Sequence, residues 1–157
     1  MRLTLQHMPS VISLKRILVA LDGSPRSEGV LAYAVSLARF ASATLVLFRS
    51  YGIPPDMTLA WPASDEPLEE ALRKQAHTYL DQCALSVPAG LLVEVQVALG
   101  VPWQAVCVAA RGQNVDLVVV GSHGYSGVDH LLGTTAARIV NHADRPVLVV
   151  RPIPPAP

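Results

Sequence analysis

The sequence predicts an α/β fold: an open five-stranded parallel sheet with helices on both faces. Three observations point there. Aliphatic runs of four to eight residues recur along the chain without the in–out alternation of a half-exposed strand, so both of their faces should be covered. Longer segments whose apolar residues recur at helical spacing lie between them. Glycine- or proline-bearing turns punctuate the exits, as in Asp22-Gly23-Ser24-Pro25.

In chain order, Arg16 to Leu21 is the first strand. Ser24 suits a helix cap, Pro25 the first helical position and Glu28 the positive end of the helix dipole. Val30, Leu31, Ala34, Leu37, Ala38 and Ala41 then form one helical stripe. Thr44 to Phe48 is the second strand. Tyr51 to Pro67, with four prolines and Trp61, reads as a long loop. Leu68 to Val87 is a helix with Leu72, Ala76, Tyr79, Leu80 and Cys83 on one side, ended by Pro88-Ala89-Gly90. Leu92 to Leu99 is the third strand, and Val101 to Arg111 a helix entered through Gly100 and Pro102. Asp116 to Val120 is the fourth strand, Thr134 to His142 the last helix and Val147 to Val150 the fifth strand. Residues 1–14 read as an extension before a domain of residues 15–151, and residues 152–157 as a proline-rich tail.

Composition narrows the function. The chain has 157 residues, which suits one domain, and 51% of them are apolar against 15% charged, which excludes a disordered protein. Twelve basic residues balance twelve acidic ones, so no global field attracts nucleic acid. No apolar stretch approaches a membrane span, and residues 1–14 lack the compact apolar core of a signal peptide. Cys83 and Cys107 stand far apart outside any CxxC or Cys/His cluster, which suits a reducing cytoplasm and argues against a zinc site.

The chemistry concentrates in Gly121-Ser122-His123-Gly124-Tyr125-Ser126-Gly127 and Gly133-Thr134-Thr135. Glycines let backbone N–H groups approach a ligand, and a helix N-terminus offers free donors and positive dipole. In open parallel sheets ligands sit beyond the carboxyl ends of the strands at the switch point. With the strand order 3-2-1-4-5, Asp22-Gly23-Ser24 and the glycine segment meet there. Neither standard phosphate fingerprint fits: Gly127 and Gly133 are one residue too far apart for a P-loop, no Lys precedes Thr134, and no early G-x-G-x-x-G occurs. A loop that uses its glycines only to turn tightly is the plainer alternative.

Ile17 to Ser24, Gly100-Val101-Pro102, and above all Asp116 to Gly124 continuing to Pro146 to Val150 resemble the universal stress protein family, over about residues 15 to 151. The resemblance implies a Rossmann-like domain that binds ATP. The ATP-binding branch carries G-x2-G-x9-G-[ST]; here Gly121-x2-Gly124 matches, and Gly133-Thr134 follows after eight residues, one short. By this resemblance Gly121, Ser122, His123, Gly124, Gly133, Thr134 and Thr135 cradle ribose and phosphates, while Ala20, Leu21 and Asp22 lie by adenine and ribose. Ser50 takes a position where the family often has an apolar residue against adenine, and Arg49 one where it often has His. A homodimer through Val147 to Val150 is also implied, and covering an apolar sheet edge gives it a physical reason.

Several residues admit two roles. His123 contacts a phosphate or turns to solvent. Asp22 faces the nucleotide or anchors its turn by accepting N–H bonds. Asp129 is a solvated loop charge unless Mg or Mn bridges it to phosphates. Arg138 reaches phosphates or faces outward, His130 and His142 are surface or capping residues, and Trp61 and Trp103 pack unless Trp61 closes over a base. Cys83 and Cys107 read as small buried apolar residues. No activated nucleophile or paired carboxylate is evident. The expected function is therefore an adenine-nucleotide-binding stress sensor or adaptor with an unknown protein partner, and at most a weak ATPase. Slow phosphoryl transfer and a fold that binds nothing are the rivals.

Overall fold

Ile17, Leu18 and Val19 are fully buried at the centre of the first strand, β1 (Arg16–Ala20). Their neighbours on either side explain why. In the computed structural model, which describes residues 13–62, 66–122 and 132–151, β1 is flanked in parallel by β2 (Thr44–Tyr51) and β4 (Leu117–Gly121). The outer strands are β3 (Val93–Leu99) and β5 (Val147–Val150), giving the order β3-β2-β1-β4-β5. Helices α1 (Ser27–Ala41), α2 (Pro55–Ala60), α3 (Leu68–Leu85), α4 (Pro102–Gly112) and α5 (Thr134–His142) complete the described elements. The class is the one the aliphatic runs predict, and the strand order is the expected 3-2-1-4-5.

Strand alternation divides the core in two. Ile17, Val19, Leu45, Leu47 and Val119 pack with Val30, Leu31, Ala34 and Ala38 of α1 and Leu80 of α3. Leu18, Val46, Phe48, Val118 and Val120 pack on the other face with Val106, Ala109 and Ala110 of α4 and Ala136 and Ile139 of α5. The chain builds β1, β2 and β3 to one side and then crosses back to β4, so the strand order reverses between β1 and β4. That reversal opens the crevice used below. At the opposite end of the sheet, Arg16 forks onto Glu94 of β3 at 2.9 and 2.7 Å, spanning β2, and donates from Nε to the Gln113 carbonyl at 3.1 Å.

Several expectations change. The first helix starts at Ser27 behind Arg26, which makes no side-chain cap bond, and not at Ser24-Pro25. The turn is closed by its own bonds: Asp22 Oδ1 accepts from Ser24 N–H at 2.9 Å and Ser27 Oγ at 2.8 Å, Ser27 N–H donates to Ser24 O, and Ser24 is buried. The second strand runs on to Tyr51, because β3 offers partners as far as Leu99. Within the proline-rich stretch, Pro55 opens the short helix α2, for proline at the first helical position starts a helix as well as it ends one. Other element ends move by one or two residues, as between Leu68–Val87 and Leu68–Leu85. Cys107 is buried, and burial pushes its thiol up; Cys83 is half-buried rather than buried. No helix of the described residues is long and apolar enough to cross a membrane.

Candidate nucleotide site

The site is built where β1 and β4 end side by side, with Ala20 opposite Val120. From β1 the chain passes through Leu21, whose N–H bonds Phe48 O at 2.9 Å, into the Asp22–Ser27 turn. Gly23 has φ +78°, a conformation that favours glycine. From β4 the chain leaves at Ser122, 1% exposed, whose N–H bonds Val150 O at 2.8 Å. It returns at Gly133, whose N–H donates to Ser122 O at 2.7 Å. The two ends of the glycine segment are therefore hydrogen-bonded to each other beside the crevice. The helix α5 begins at once, and its first bond within the helix is Ala137 N–H to Gly133 O at 2.9 Å. The N–H groups of Thr134, Thr135 and Ala136 have no acceptor within the helix, as at any helix start.

These elements enclose a cavity of about 570 Å³. Ala20, Leu21, Asp22, Ser50, Gly121, Ser122, Gly133, Thr134 and Thr135 all line it, so the structure brings together nine of the eleven predicted residues. His123 and Gly124 lie outside the described residues, as do Asp129 and His130.

The lining is sorted by chemistry. Phe48, Pro102, Val106, Val120 and Ile139 make an apolar wall toward α4 and α5. Gly121, Ser122, Gly133, Thr134 and Thr135 make a donor-rich end at the start of α5. Asp22, Ser24, Arg26, Ser27 and Arg49 make a polar end beside the β1–α1 turn. A flat apolar ring with a polar, anionic attachment fits such a lining, and the volume lies in the range of small-molecule sites.

Arg26, Arg49 and the apolar wall are what sequence reading passed over. Wall residues carry no motif, since Val106 or Phe48 looks like any core residue. Arg49 stood out only as a departure from the family's His. Its Cζ lies 4.5 Å from the centre of the Tyr79 ring. A Cβ added at Gly23 would lie 2.7 Å from its Nη1 and 2.9 Å from its Nη2. Burial pushes the Tyr79 phenol up, against a hydrogen bond with Ser27 that pulls it down, so Tyr79 stays neutral beside the guanidinium.

Asp22 anchors its turn through Oδ1, one of the two roles expected of it, and it also lines the cavity. Arg138 turns elsewhere, exposed, with Cζ 5.9 Å from the Trp103 ring centre. Trp103 also meets His142 at 4.7 Å, and His142 Nδ1 lies 2.8 Å from Arg138 O, the capping role expected of it. Trp61 is half-buried and donates to Glu66 O at 3.1 Å, which holds it toward the start of α3 and not over the cavity.

The sequence model of the universal stress protein family matches residues 13–151. The chain belongs to that family. Universal stress protein A homolog 1 of Coxiella burnetii is 36% identical over 148 residues, covering 87% of this chain and 95% of that one. The universal stress protein in the QAH/OAS sulfhydrylase 3′ region of Thermus aquaticus is 34% identical over 139 residues, covering 87% and 98%. The solved structure of the hypothetical protein MJ0577 superposes with a TM-score of 0.76 at 21% identity over 91% of this chain and 99% of that one. A universal stress protein in complex with cAMP (TM-score 0.65, 22% identity, 88% and 98% covered) and one from Archaeoglobus fulgidus in complex with dAMP (0.60, 18%, 89% and 99%) share the fold. The architecture described above is thus the fold shared with solved universal stress proteins.

Proposed function

We propose that this universal stress protein binds an adenine nucleotide, ATP first among them, in the crevice between β1 and β4, and that it acts as a sensor or adaptor in a stress response. The observation that carries this is the sorted lining of one cavity: an apolar wall beside a cluster of N–H and hydroxyl donors at a helix start. The complexes of related folds with cAMP and dAMP support the same class of ligand. In this reading the ring lies against Phe48, Val106 and Ile139, Ala20–Asp22 and Ser50 border base and sugar, and the phosphates meet Gly121, Ser122, Gly133, Thr134 and Thr135, with His123 and Gly124 completing the cradle. No group of three or more His, Cys, Asp or Glu that could hold a metal occurs among the described residues, so Mg or Mn would arrive with the phosphates.

Binding, not turnover, is the role the geometry favours. The carboxylate that lines the cavity, Asp22, spends Oδ1 on its own turn. The edge strand β5, with Leu148 37% exposed, gives the proposed homodimer its contact by pairing with a second copy.

Calorimetry on Gly133→Leu tests the reading. Gly133 has φ −57° and ψ 151°, which any residue adopts, so the fold should persist while ATP binding is lost. Unchanged ATP affinity refutes the assignment. Mass spectrometry of ligands that copurify, and thermal shifts with ATP, ADP, AMP and cyclic AMP, then rank the nucleotides.

A further inference from the structure

Among the described residues Arg49 makes no hydrogen bond and no ion pair, although it lines the cavity and carries five N–H donors. Its neighbours nevertheless hold it in place. The Tyr79 ring supports the guanidinium at 4.5 Å, and the terminal nitrogens lie against Gly23, where the absence of a side chain leaves them room. A fixed guanidinium with unused donors in a cavity is built to receive an acceptor.

The position in the sheet says which part of the ligand can reach it. Along β2, Arg49 shares the face of Leu45 and Leu47, toward α1 and α3, whereas Phe48 and Ser50 share that of Val46, toward α4. The ring's apolar wall and the guanidinium therefore stand on opposite faces of the sheet's edge, with Ala20–Asp22 between them. The donor-rich start of α5 is not within easy reach of Arg49 either: β2 and β4 are separated by β1, a distance of roughly 10 Å at ordinary strand spacing. If the nucleotide lies as proposed above, with its sugar beside Ala20–Asp22, the sugar is the part of the ligand whose substituents face Arg49. In doubly wound dinucleotide-binding folds an arginine near the ribose accommodates a ribose 2′-phosphate, and planar guanidinium forks suit phosphate oxygens.

We propose that Arg49 binds a second anionic group of the nucleotide, a phosphate carried on the 2′ or 3′ oxygen of the ribose. This inference rests on the nucleotide reading above and adds to it a class of ligand, the ribose-phosphorylated adenine nucleotides. The exposed Asp22, with Oδ1 already committed, offers its other oxygen to the remaining ribose hydroxyl.

Isothermal calorimetry with 5′-AMP, adenosine 2′,5′-bisphosphate and adenosine 3′,5′-bisphosphate tests it on the full chain. At least one bisphosphate should bind roughly tenfold to a hundredfold more tightly than AMP, as a charge-assisted, forked contact provides. The two arms tell a 2′ from a 3′ phosphate. In Arg49→Gln the ratio of bisphosphate to AMP affinity should fall to about one. Arg49→Met, of similar reach, serves if the Gln variant does not fold by circular dichroism. A wild-type ratio near one with both bisphosphates, or a ratio that survives the loss of Arg49, overturns the proposal while leaving adenine-nucleotide binding intact. Failure of the folded wild type to bind any of the three, and ATP as well, overturns the nucleotide reading itself.

Discussion

Gly23→Ala probes the turn that joins the polar end of the cavity to the core. Two costs can be worked from the structure. At φ +78° an alanine is strained, by about 1.5 kcal/mol. Its Cβ would lie 2.7 Å from Arg49 Nη1, so the guanidinium must shift, at a cost of up to about 0.8 kcal/mol where it leaves the Tyr79 ring. Against these, alanine loses less chain entropy on folding than glycine, a gain of about 0.7 kcal/mol. The net destabilisation is about 1.5 kcal/mol, a fall in Tm of roughly 3–6 °C for a chain of this size. Urea unfolding followed by circular dichroism measures it, and the informative comparison is the double variant. In an Arg49→Ala background the clash is absent, so Gly23→Ala should cost only about 0.8 kcal/mol, leaving a coupling of similar size. Strict additivity of the two substitutions, or a neutral Gly23→Ala, refutes the argument that Gly23 makes room for a fixed Arg49.

Two further predictions concern the apolar wall and the far end of the sheet. Val106 is 3% exposed and faces both the core and the cavity, so Val106→Trp should fill the ring's place; overpacking costs about 1–3 kcal/mol, and the thermal shift produced by ATP should vanish in the folded variant, an undiminished shift being the contrary result. The Arg16 guanidinium, by hydrogen bond and charge and against some desolvation, holds the Glu94 carboxyl below the usual glutamate value. A depressed carboxyl contributes stability above its unfolded pKa and loses it as pH falls through the folded one. The wild type should therefore lose stability through that acid window more steeply than Glu94→Gln, a small difference because both side chains are part-exposed at 28% and 47%; parallel acid limbs in urea titrations would show the pair to be inert.

The sheet was legible because burial on both faces leaves its mark on every residue of a strand: Leu18-Val19 and Val118-Val119 could be nothing but centre. The cavity lining at the start of α5 was legible for a different reason: Gly121, Ser122, Gly133, Thr134 and Thr135 stand out as glycines and hydroxyls at a strand end and a helix start. Three things were hidden. The start of α1 depends on one carboxylate, for Asp22 holds Ser24 and Ser27 inside a turn that local capping preference alone assigns to the helix. The helix Pro55–Ala60 was masked by prolines that break or begin a helix according to position. The wall of Phe48, Val106 and Ile139 was invisible because a residue that packs against a core and one that packs against a ligand obey the same pattern.

A net charge of zero excludes steering by the whole molecule, and glycine N–H groups with a helix dipole explain how a neutral chain could still hold phosphates. The structure adds a division of labour among the arginines. Arg16 pairs with Glu94, Arg73 with Glu70, and Arg111 and Arg145 with Asp144, so each of these charges is matched where it stands. Arg49 is matched by no carboxylate among the described residues and rests instead on an aromatic ring at the edge of the cavity. At physiological ionic strength a charge is felt over about 8 Å, so a ligand in the crevice responds to the groups that line it and hardly to the rest of the surface. Neutrality of the chain and an unpaired cation in its cavity are therefore compatible: Glu94, Glu70 and Asp144 are spent on other arginines, and among the described residues no carboxylate forms an ion pair with Arg49.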